Sequence, residues 1–455
     1  MTTHPEMIVR RVVQACADCD ICRFLMHEDC LFFPALYRLV DREADTGQPI
    51  TERTLRNLVD RCTLCGLCPC PNIRNDVVKA KIAYVRKNGI SIRDRLLADV
   101  QRVGCAGGLV SCAVRFLSSK EPVHGFVKRL AGIHRERRLP PIPDTHFFDW
   151  AKARGLCRDP GNGRGVAYFA GCTAGYFFPE VARAAVMVLE RSGVDVFVPP
   201  QQCCGMPTLV EGQEGKTLDR VGANLERLLA VNAKGYVPVS SCPTCGFLLR
   251  VLLREGAFHS TPFQRWAGAG KDEIKIPNGG GLGRFVHLKK SLYGKILADD
   301  GLFNALNPMD RIALSEGIRD VGEFLAGLRA KGRFNIVFDS LDRRMVYFAP
   351  CHQREQKIGS PYLRLLALIP QLRIQPIGGA MDCCGMGGSL GFKQANHRRA
   401  VTQGASLALK IKASDPDAVV TDCLSCRLQF EHLLPYPVFH PLEILAEAAK
   451  MLAPA

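Results

Sequence analysis

The chemistry of this chain is concentrated in two sets of five cysteines with nearly identical spacing. Each set has one cysteine after a short apolar run, then a Cys-Cys-Gly triplet, and then a Cys-x2-Cys pair. The first set comprises Cys172, Cys203, Cys204, Cys242 and Cys245, and the second comprises Cys351, Cys383, Cys384, Cys423 and Cys426. Equivalent cysteines of the two sets are separated by 179 to 181 residues, which indicates a duplication.

Thiolates are ligands for zinc and for iron-sulfur clusters, and both a zinc site and an ordinary cubic cluster need only four of them. Five thiolates therefore predict a larger or opened cluster in each repeat, or one thiolate that is free to exchange. In a plainer alternative, one cysteine of each adjacent pair packs as a small hydrophobic residue. Gly205 and Gly385, which follow the pairs, are expected to let the backbone approach the cluster without an intervening Cβ.

Eight further cysteines in the first hundred residues indicate two cubic clusters. Two runs have the C-x2-C-x2-C spacing that wraps three thiolates around one cluster, and structural zinc is the alternative. In ferredoxins with two clusters, a fourth cysteine after each run ligates the other cluster. We therefore predict that Cys70 completes the first run and Cys30 the second. The runs themselves are Cys16, Cys19 and Cys22, and Cys62, Cys65 and Cys68.

Composition limits the class of protein. With 455 residues the chain is too long for one core, so about three domains are expected. Disulfide frameworks belong to short secreted chains, the amino terminus has no signal-peptide pattern, and an odd count of 21 cysteines cannot pair completely. These features favour metal-bound thiolates in a reducing cytoplasm.

The formal charge of +16 raises the question of nucleic acid or an anionic membrane as a partner. Metal-bound thiolates would reduce this charge, and no aromatic residues interleave with base-reading motifs, so nucleic acid is not expected. A structural zinc or nucleic-acid adaptor is kept as a further hypothesis for the function, beside the two hypotheses that follow from the cysteine pattern below. No apolar run reaches the ~18 to 20 residues of a membrane-spanning helix.

Short apolar runs alternating with helical periods must position the five-cysteine sets. Strands are predicted at 166–170, 195–198, 236–239, 344–349, 373–376 and 418–421, and helices at 181–192 and 363–368. In both repeats the cysteines follow the carboxyl ends of strands, where open α/β sheets gather ligands. The predicted divisions are a helical iron-sulfur domain at 1–90, a basic amphipathic linker region at 91–160, a cysteine-rich α/β domain at 161–255, an inter-repeat region at 256–343 and a second cysteine-rich α/β domain at 344–455.

The linker region contains a basic amphipathic segment. Residues 91–140 hold ten Lys or Arg and four Asp or Glu, with Ile92, Leu96, Val100 and Val103 on one helical face. Further helical periods follow at 109–117 and 126–133. Such a segment can lie in the membrane interface, or it can pack on its own protein with a solvated basic face.

Four other residues have side chains capable of chemistry. His352, next to Cys351, could hydrogen-bond a cluster sulfur or take part in proton transfer, although an isolated histidine is more often structural. Cys105 and Cys112 are seven residues apart on a predicted helical face, so core packing is expected for them. Cys157 also lies outside the cysteine sets. The glycine-rich run 277–283 lacks a phosphate-binding motif and predicts a turn.

Several segments carry a family resemblance. Ala349-Pro-Cys-His352, the run from Cys383 to Lys393 and the run Val419-Val-Thr-Asp-Cys-Leu-Ser-Cys426 stand within a twofold C-x(about 30)-C-C-G-x(about 36)-C-x2-C pattern. This pattern resembles the CCG domains of heterodisulfide reductase catalytic subunits and related iron-sulfur oxidoreductases. Behind a two-cluster ferredoxin, the layout is similar to the group of anaerobic glycerol-3-phosphate dehydrogenase C subunits.

The resemblance implies a multidomain fold, with a helical two-cluster ferredoxin domain followed by two duplicated α/β CCG domains. It also implies two [4Fe-4S] cubanes and one cluster per CCG domain, either cubane or noncubane. The expected function is electron transfer in a membrane-associated dehydrogenase complex of anaerobic respiration, from a flavoprotein dehydrogenase subunit to quinone. The alternative is a heterodisulfide or disulfide reductase that uses a CCG cluster. The expected location is cytoplasmic, with peripheral contact to the cytoplasmic membrane left open.

Overall fold

The computed structural model describes residues 4–26, 30–109, 125, 128–161, 163–278, 284–293 and 299–451. Its amino-terminal part is helical, as predicted for residues 1–90. The helices are Pro5–Cys19, Ile21–Leu25, Phe33–Thr46, Glu52–Val59 and Pro71–Asn88. Three of them begin with proline in the first turn, where no backbone N–H partner is needed. Val9, Leu36, Leu55 and Val59 are at most 1% exposed and form the core of this domain.

The basic segment begins with two short helices, Ile92–Ala98 and Val100–Leu109. The second helix approaches the first cysteine-rich domain at Gly104, where a Cβ would lie 2.4 Å from Cβ of Tyr176. Three apolar residues on the predicted face are exposed, namely Ile92, Leu96 and Val103. The predicted helical period at 109–117 falls largely on 110–124, outside the described residues, as do 126 and 127 of the next period.

Ten strands are described. They are β1 (Val166–Phe169), β2 (Val196–Phe197), β3 (Val237–Ser240), β4 (Glu273–Pro277), β5 (Phe285–Lys289), β6 (Arg319–Asp320), β7 (Arg344–Tyr347), β8 (Arg373–Pro376), β9 (Ala418–Val420) and β10 (Val438–Phe439). All six predicted strands are present, and each bound agrees within two residues.

The two cysteine-rich repeats form matching parallel sheets. The first has the order β2-β1-β3-β6 and the second has the order β8-β7-β9-β10. The first repeat carries helices Gly171–Tyr176, Pro179–Arg191, Met206–Val210, Glu214–Ala233 and Pro243–Gly246, the last continuing as a π-helical turn. The second carries helices Cys351–Arg354, Pro361–Leu366, His397–Ala413, Leu424–Leu433 and Pro441–Ala448. The duplication read from the cysteine offsets is thus also a duplication of strand order.

The inter-repeat region does more than separate the repeats. Its strand β6 pairs with β3 and completes the first sheet, and the following helix Val321–Ala330 corresponds to Pro441–Ala448 after β10. Asp320 and His440 both begin these helices with capping boxes. Residues of the predicted inter-repeat region, up to about residue 330, therefore complete the sheet of the first α/β repeat. The rest of the region contains helices Thr261–Trp266, Lys290–Tyr293 and Pro308–Gly317 and the β4–β5 hairpin.

One core joins the two sheets. Tyr168 and Val239 of the first sheet and Tyr347 and Val420 of the second are at most 1% exposed and belong to the same hydrophobic cluster. Burial of this apolar surface holds the two repeats against each other. Of the predicted turn at 277–283, residues 279–283 lie outside the described residues. Among the residues that the structure describes, no helix is long and apolar enough to cross a membrane.

Candidate metal centres

The first amino-terminal cysteine run lies beside Cys70. Cys16 and Cys19 end helix Pro5–Cys19, Asp20 turns the chain in the left-handed region with φ of 54°, and Cys22 follows in the next helix. Cys70 is the residue before helix Pro71–Asn88, which packs along the first helix. Burial raises the pKa of Cys16 to about 12, and the thiols of Cys22, Cys70 and Cys19 raise it as well. The structure thus brings together the four predicted ligands of one centre.

The second run lies beside Cys30. All four thiols of this group line one cavity: Cys30, Cys62, Cys65 and Cys68. The loop turns at Leu64 and Gly66, which have φ of 55° and 90°. Burial raises the pKa of Cys30 to about 12, with a further rise from the Cys65 thiol. The structure thus places Cys70 beside the first run and Cys30 beside the second, and the crossed ligation itself stays a prediction.

The five cysteines of the first α/β repeat converge at the carboxyl ends of β1 and β3. The Sγ atoms of Cys172 and Cys203 are 3.3 Å apart. Cys204 contacts both Cys203 and Cys245 through its thiol, and Cys245 also contacts Cys242. All five are buried except Cys242, which is partly exposed.

The second repeat brings its five cysteines together in the same way. The Cys384 thiol contacts the thiols of Cys383 and Cys426, and Cys426 contacts Cys423. Burial raises the pKa of Cys351, and the thiols of Cys65, Cys384 and Cys423 raise it further. Cys65 belongs to the second amino-terminal group, so that group lies next to the second α/β repeat.

These four groups fit iron-sulfur clusters. None of the described cysteines forms a disulfide. Most of the thiols are buried. Burial and neighbouring thiols raise the pKa of Cys16, Cys30 and Cys351, so these thiols would not ionise together with their neighbours without a cation among them. Iron supplies that charge, and thiolates are its ligands in such clusters.

The glycines after the cysteine pairs pack closely against a helix in each repeat. Gly205 and Gly385 have φ of 100° and 83°, which favour glycine. A Cβ on Gly385 would lie 2.2 Å from the Ala400 carbonyl oxygen, and one on Gly205 would lie 3.2 Å from Val221. The missing Cβ therefore makes room for a helix in each repeat.

Sequence reasoning missed Arg137, which was predicted only to belong to the linker region at 91–160. Its side chain is fully buried, and Nη1 donates to Oε1 of Gln429 at 2.5 Å and to Sδ of Met386 at 3.6 Å. Burial lowers the pKa of Arg137 to about 10, whereas the Cys384 thiol raises it. A single arginine in a linker has no spacing pattern, so no sequence signal identifies this cation behind the second cysteine pair.

Helix Val100–Leu109 also supplies groups to the first α/β repeat. The Cys203 amide donates to Oε1 of Gln101 at 2.8 Å. Cys105 is exposed, and its thiol interacts with the Tyr176 hydroxyl, so the prediction that Cys105 packs in a core is wrong. Cys112 lies outside the described residues, and Cys157 is exposed.

His352 lies where three cysteine-bearing loops meet. Its ring nitrogens contact the carbonyl oxygen of Leu64 and the hydroxyl of Thr244, each at 2.9 Å. The ring stacks on Phe247 with a centroid distance of 4.6 Å and an angle of 14°. Burial lowers the pKa of His352 to about 4, so the imidazole is neutral at physiological pH.

Comparison with known protein families matches these two α/β units. The chain carries two copies of the CCG cysteine-rich domain, at residues 166–250 and 345–431, and each copy includes one complete five-cysteine set.

The chain is homologous to the C subunit of the anaerobic glycerol-3-phosphate dehydrogenase of Escherichia coli K12. The two are 25% identical over 375 residues, which cover 82% of this chain and 81% of the relative. The B subunit of the fumarate reductase (CoM/CoB) of Methanothermobacter marburgensis is 26% identical over 275 residues, covering 60% and 42%. Lactate utilization protein A of Bacillus pumilus is 25% identical over 232 residues, covering 50% and 75%.

The first two relatives are subunits of oxidoreductases, which confirms the prediction of an oxidoreductase subunit. Together with the CCG domains, the homology supports an iron-sulfur electron-transfer role.

Proposed function

We propose that this chain is the electron-transfer subunit of a membrane-associated dehydrogenase complex, carrying electrons from a flavoprotein subunit to quinone. The observation that carries the proposal is the proximity of the four cysteine groups to one another within one chain. In this proposal each four-cysteine group holds a [4Fe-4S] cubane and each CCG set holds one cluster, which supply one-electron transfer. The chain itself fixes their spacing, burial and hydrogen bonding, which set the reduction potentials.

The adjacency of the groups supports an internal route. Cys68 and Cys70 belong to different amino-terminal groups and are two residues apart, so their Cα atoms are at most about 7 Å apart. The Cys65 thiol raises the pKa of both Cys351 and Cys383. The second amino-terminal group therefore lies next to the second CCG set. The His352 contacts connect that region to the loop of Cys242 and Cys245 in the first CCG set.

The exposed end of this route suggests where the flavoprotein docks. Cys19 and Cys70 are the exposed members of the first group. Close to them in the chain, Ile21, Phe24 and Leu25 are 61%, 79% and 48% exposed. Exposed apolar side chains beside a redox centre suit a protein partner that must bring its own cofactor close.

The basic helices suggest where the membrane and quinone lie. Exposed Ile92, Leu96 and Val103 are accompanied by the exposed cations Arg93, Arg95 and Arg102 on the same two helices. This combination favours the interface of an anionic membrane. Gln101 on the second helix receives the Cys203 amide, so the first CCG set lies directly behind this surface.

The test is anaerobic purification of the full chain, followed by iron and sulfide analysis, electron paramagnetic resonance and identification of the co-purifying subunit. About eight iron atoms are expected for the two four-cysteine groups alone, with more for the CCG sets. Cys204→Ser and Cys384→Ser should each abolish a different signal. A colourless protein without iron would refute the proposal, and unchanged iron in either variant would reduce that repeat to a scaffold.

Disulfide reduction at a CCG pair is the second candidate. It would use a coordination site opened at Cys203-Cys204 or Cys383-Cys384, and it is favoured by the thiol contacts within these pairs and by the similarity to a fumarate reductase subunit named for CoM/CoB. A change in a CCG signal that depends on added thiol or disulfide would support it. Quinone reduction with a dehydrogenase present, and no response to disulfides, would exclude it.

A further inference from the structure

The side chain of His352 joins the cysteine-bearing loops of three domains. Leu64, whose carbonyl it contacts, lies between Cys62 and Cys65 in the amino-terminal domain. Thr244, whose hydroxyl it contacts, lies between Cys242 and Cys245 in the first CCG domain. His352 itself directly follows the first cysteine of the second CCG set.

The hydrogen-bond partners fix the state of the ring. A carbonyl oxygen only accepts, so Nε2 of His352 carries the proton and donates it to Leu64. Nδ1 is then an acceptor for the Thr244 hydroxyl. With both nitrogens bonded and one face of the ring against Phe247, the imidazole has one orientation.

The surrounding backbone approaches closely enough to make this junction tight. Nε2 of Gln356 donates to the Pro243 and His352 carbonyl oxygens, each at 3.1 Å. A Cβ on Gly246 would lie 2.5 Å from the Gln356 side chain, and one on Gly66 would lie 2.8 Å from Phe247. The loop contacts of His352 are therefore part of a packed surface between domains.

The duplication indicates that cluster binding alone does not require this histidine. In the first repeat the equivalent position after Cys172 is Thr173, and the position equivalent to Thr244 in the second repeat is Ser425. The histidine occurs in one repeat and takes its hydroxyl partner from the other. Its contacts thus belong to the junction between domains and not to the CCG motif itself.

We propose that His352 is a positioning residue that holds the second amino-terminal cysteine group and both CCG sets in fixed register, so that electron exchange among them depends on it. This inference rests on the proposed electron-transfer function. The contact with Thr244 fixes the position of the first CCG set relative to His352, and the contact with Leu64 fixes the position of the amino-terminal group.

The test uses the full iron-loaded chain with two variants and a control. Thr244→Val removes the hydroxyl bonded to Nδ1 while keeping the side-chain shape, and Thr244→Ser restores the hydroxyl. His352→Phe keeps an aromatic ring against Phe247 but removes both hydrogen bonds. Iron content, amide hydrogen exchange of 62–66 and 243–247, and freeze-quench electron paramagnetic resonance after photoreduction are measured without any partner protein.

We expect all three variants to retain full iron content. Loss of one buried hydrogen bond should raise amide exchange of the 243–247 segment roughly tenfold in Thr244→Val, and His352→Phe should raise exchange in both segments. Electron arrival at the first CCG set should be slower in Thr244→Val than in the unaltered protein, because the contact between the domains is looser, while Thr244→Ser keeps the rate of the unaltered protein. His352→Phe should slow arrival at both CCG sets.

Unaltered electron-arrival rates in iron-replete Thr244→Val and His352→Phe would overturn the role of His352. Loss of iron in both variants would also overturn it, because the contacts would then serve only folding. If His352→Phe alone loses iron, the electron-arrival rate in Thr244→Val decides whether the proposed role of His352 stands. An unaltered protein that binds no iron would refute the proposed function itself, so the two failures are distinguishable.

Discussion

Replacing Gly385 by alanine should selectively disable the second CCG domain. A Cβ at this position would lie 2.2 Å from the Ala400 carbonyl oxygen and 2.8 Å from the Gly404 amide nitrogen. Conversely, a Cβ on Gly404 would lie 2.4 Å from the Cys384 carbonyl oxygen. The loop that carries the cysteine pair therefore packs directly on the backbone of helix His397–Ala413.

The cost of this substitution has two parts. Alanine at a left-handed φ costs about 1–2 kcal/mol. Forcing a Cβ into backbone atoms adds about 1–3 kcal/mol of overpacking, because neither the loop nor the helix can move alone. The free energy of unfolding of the domain should therefore fall by about 2–5 kcal/mol.

Two other glycines separate these two contributions. Gly193 has φ of 72° and no atom within 4 Å of a Cβ position, so Gly193→Ala carries only the backbone cost. At Gly205 the Cβ would meet methyl groups of Val221 at 3.2 Å and Thr217 at 3.4 Å, which can shift. The decrease in the free energy of unfolding should become larger in the order Gly193→Ala, Gly205→Ala, Gly385→Ala.

The assay is anaerobic urea unfolding monitored by circular dichroism. Iron content and electron paramagnetic resonance spectra are measured on the same samples. Gly385→Ala should lose the signal that Cys384→Ser abolishes and keep the signal that Cys204→Ser abolishes. If Gly385→Ala is no more destabilising than Gly193→Ala, the reasoning from the backbone contact is refuted.

Three further predictions concern other parts of the chain. Cys70→Ser and Cys30→Ser should each lose iron and a different cubane signal, and retention of both in either variant would remove that cysteine from its ligand set. Phe24→Asp should slow electron entry from a flavoprotein partner without changing iron content, whereas Val337→Asp, at an equally exposed site in another domain, should not. Burial raises the pKa of Asp320 from 3.8 to about 7. Between these two values the folded state holds a proton that the unfolded state has lost, so stability should fall as pH rises from about 4 to about 7 and level off above that. Asp320→Asn keeps an acceptor for the amides of the helix that it caps and should flatten this dependence in urea midpoints between about pH 5 and pH 7; an unchanged slope would assign the pH dependence to other groups.

Much of the fold follows from local sequence patterns. Alternation between apolar runs such as 166–170 and helical periods such as 181–192 is enough to predict an α/β repeat, because periodicity of two or 3.6 residues reflects which face is buried. Spacing also indicates that the cysteines follow strand ends. The fourth strand of the first sheet, Arg319–Asp320, is two residues long and has no detectable pattern, so its contribution to the first CCG unit was not predicted.

The glycines and Arg137 show where local reasoning fails. Gly205 and Gly385 could be recognised as special, but the sequence does not say which atoms a Cβ would strike. Arg137 reads as one cation in a basic linker, yet it is buried against Gln429, which is 292 residues away. Such contacts depend on how whole domains pack and leave no trace in nearby residues.

By itself the sequence determined the number, type and grouping of the thiols, the duplication and the strand ends that carry them, because these depend on spacing along the chain. Only the tertiary structure decided that the loops of Cys65, Cys242 and Cys351 meet, and that His352 contacts a carbonyl 288 residues away. The physical reason is that packing of the shared core, and not local propensity, sets the distance between segments far apart in sequence.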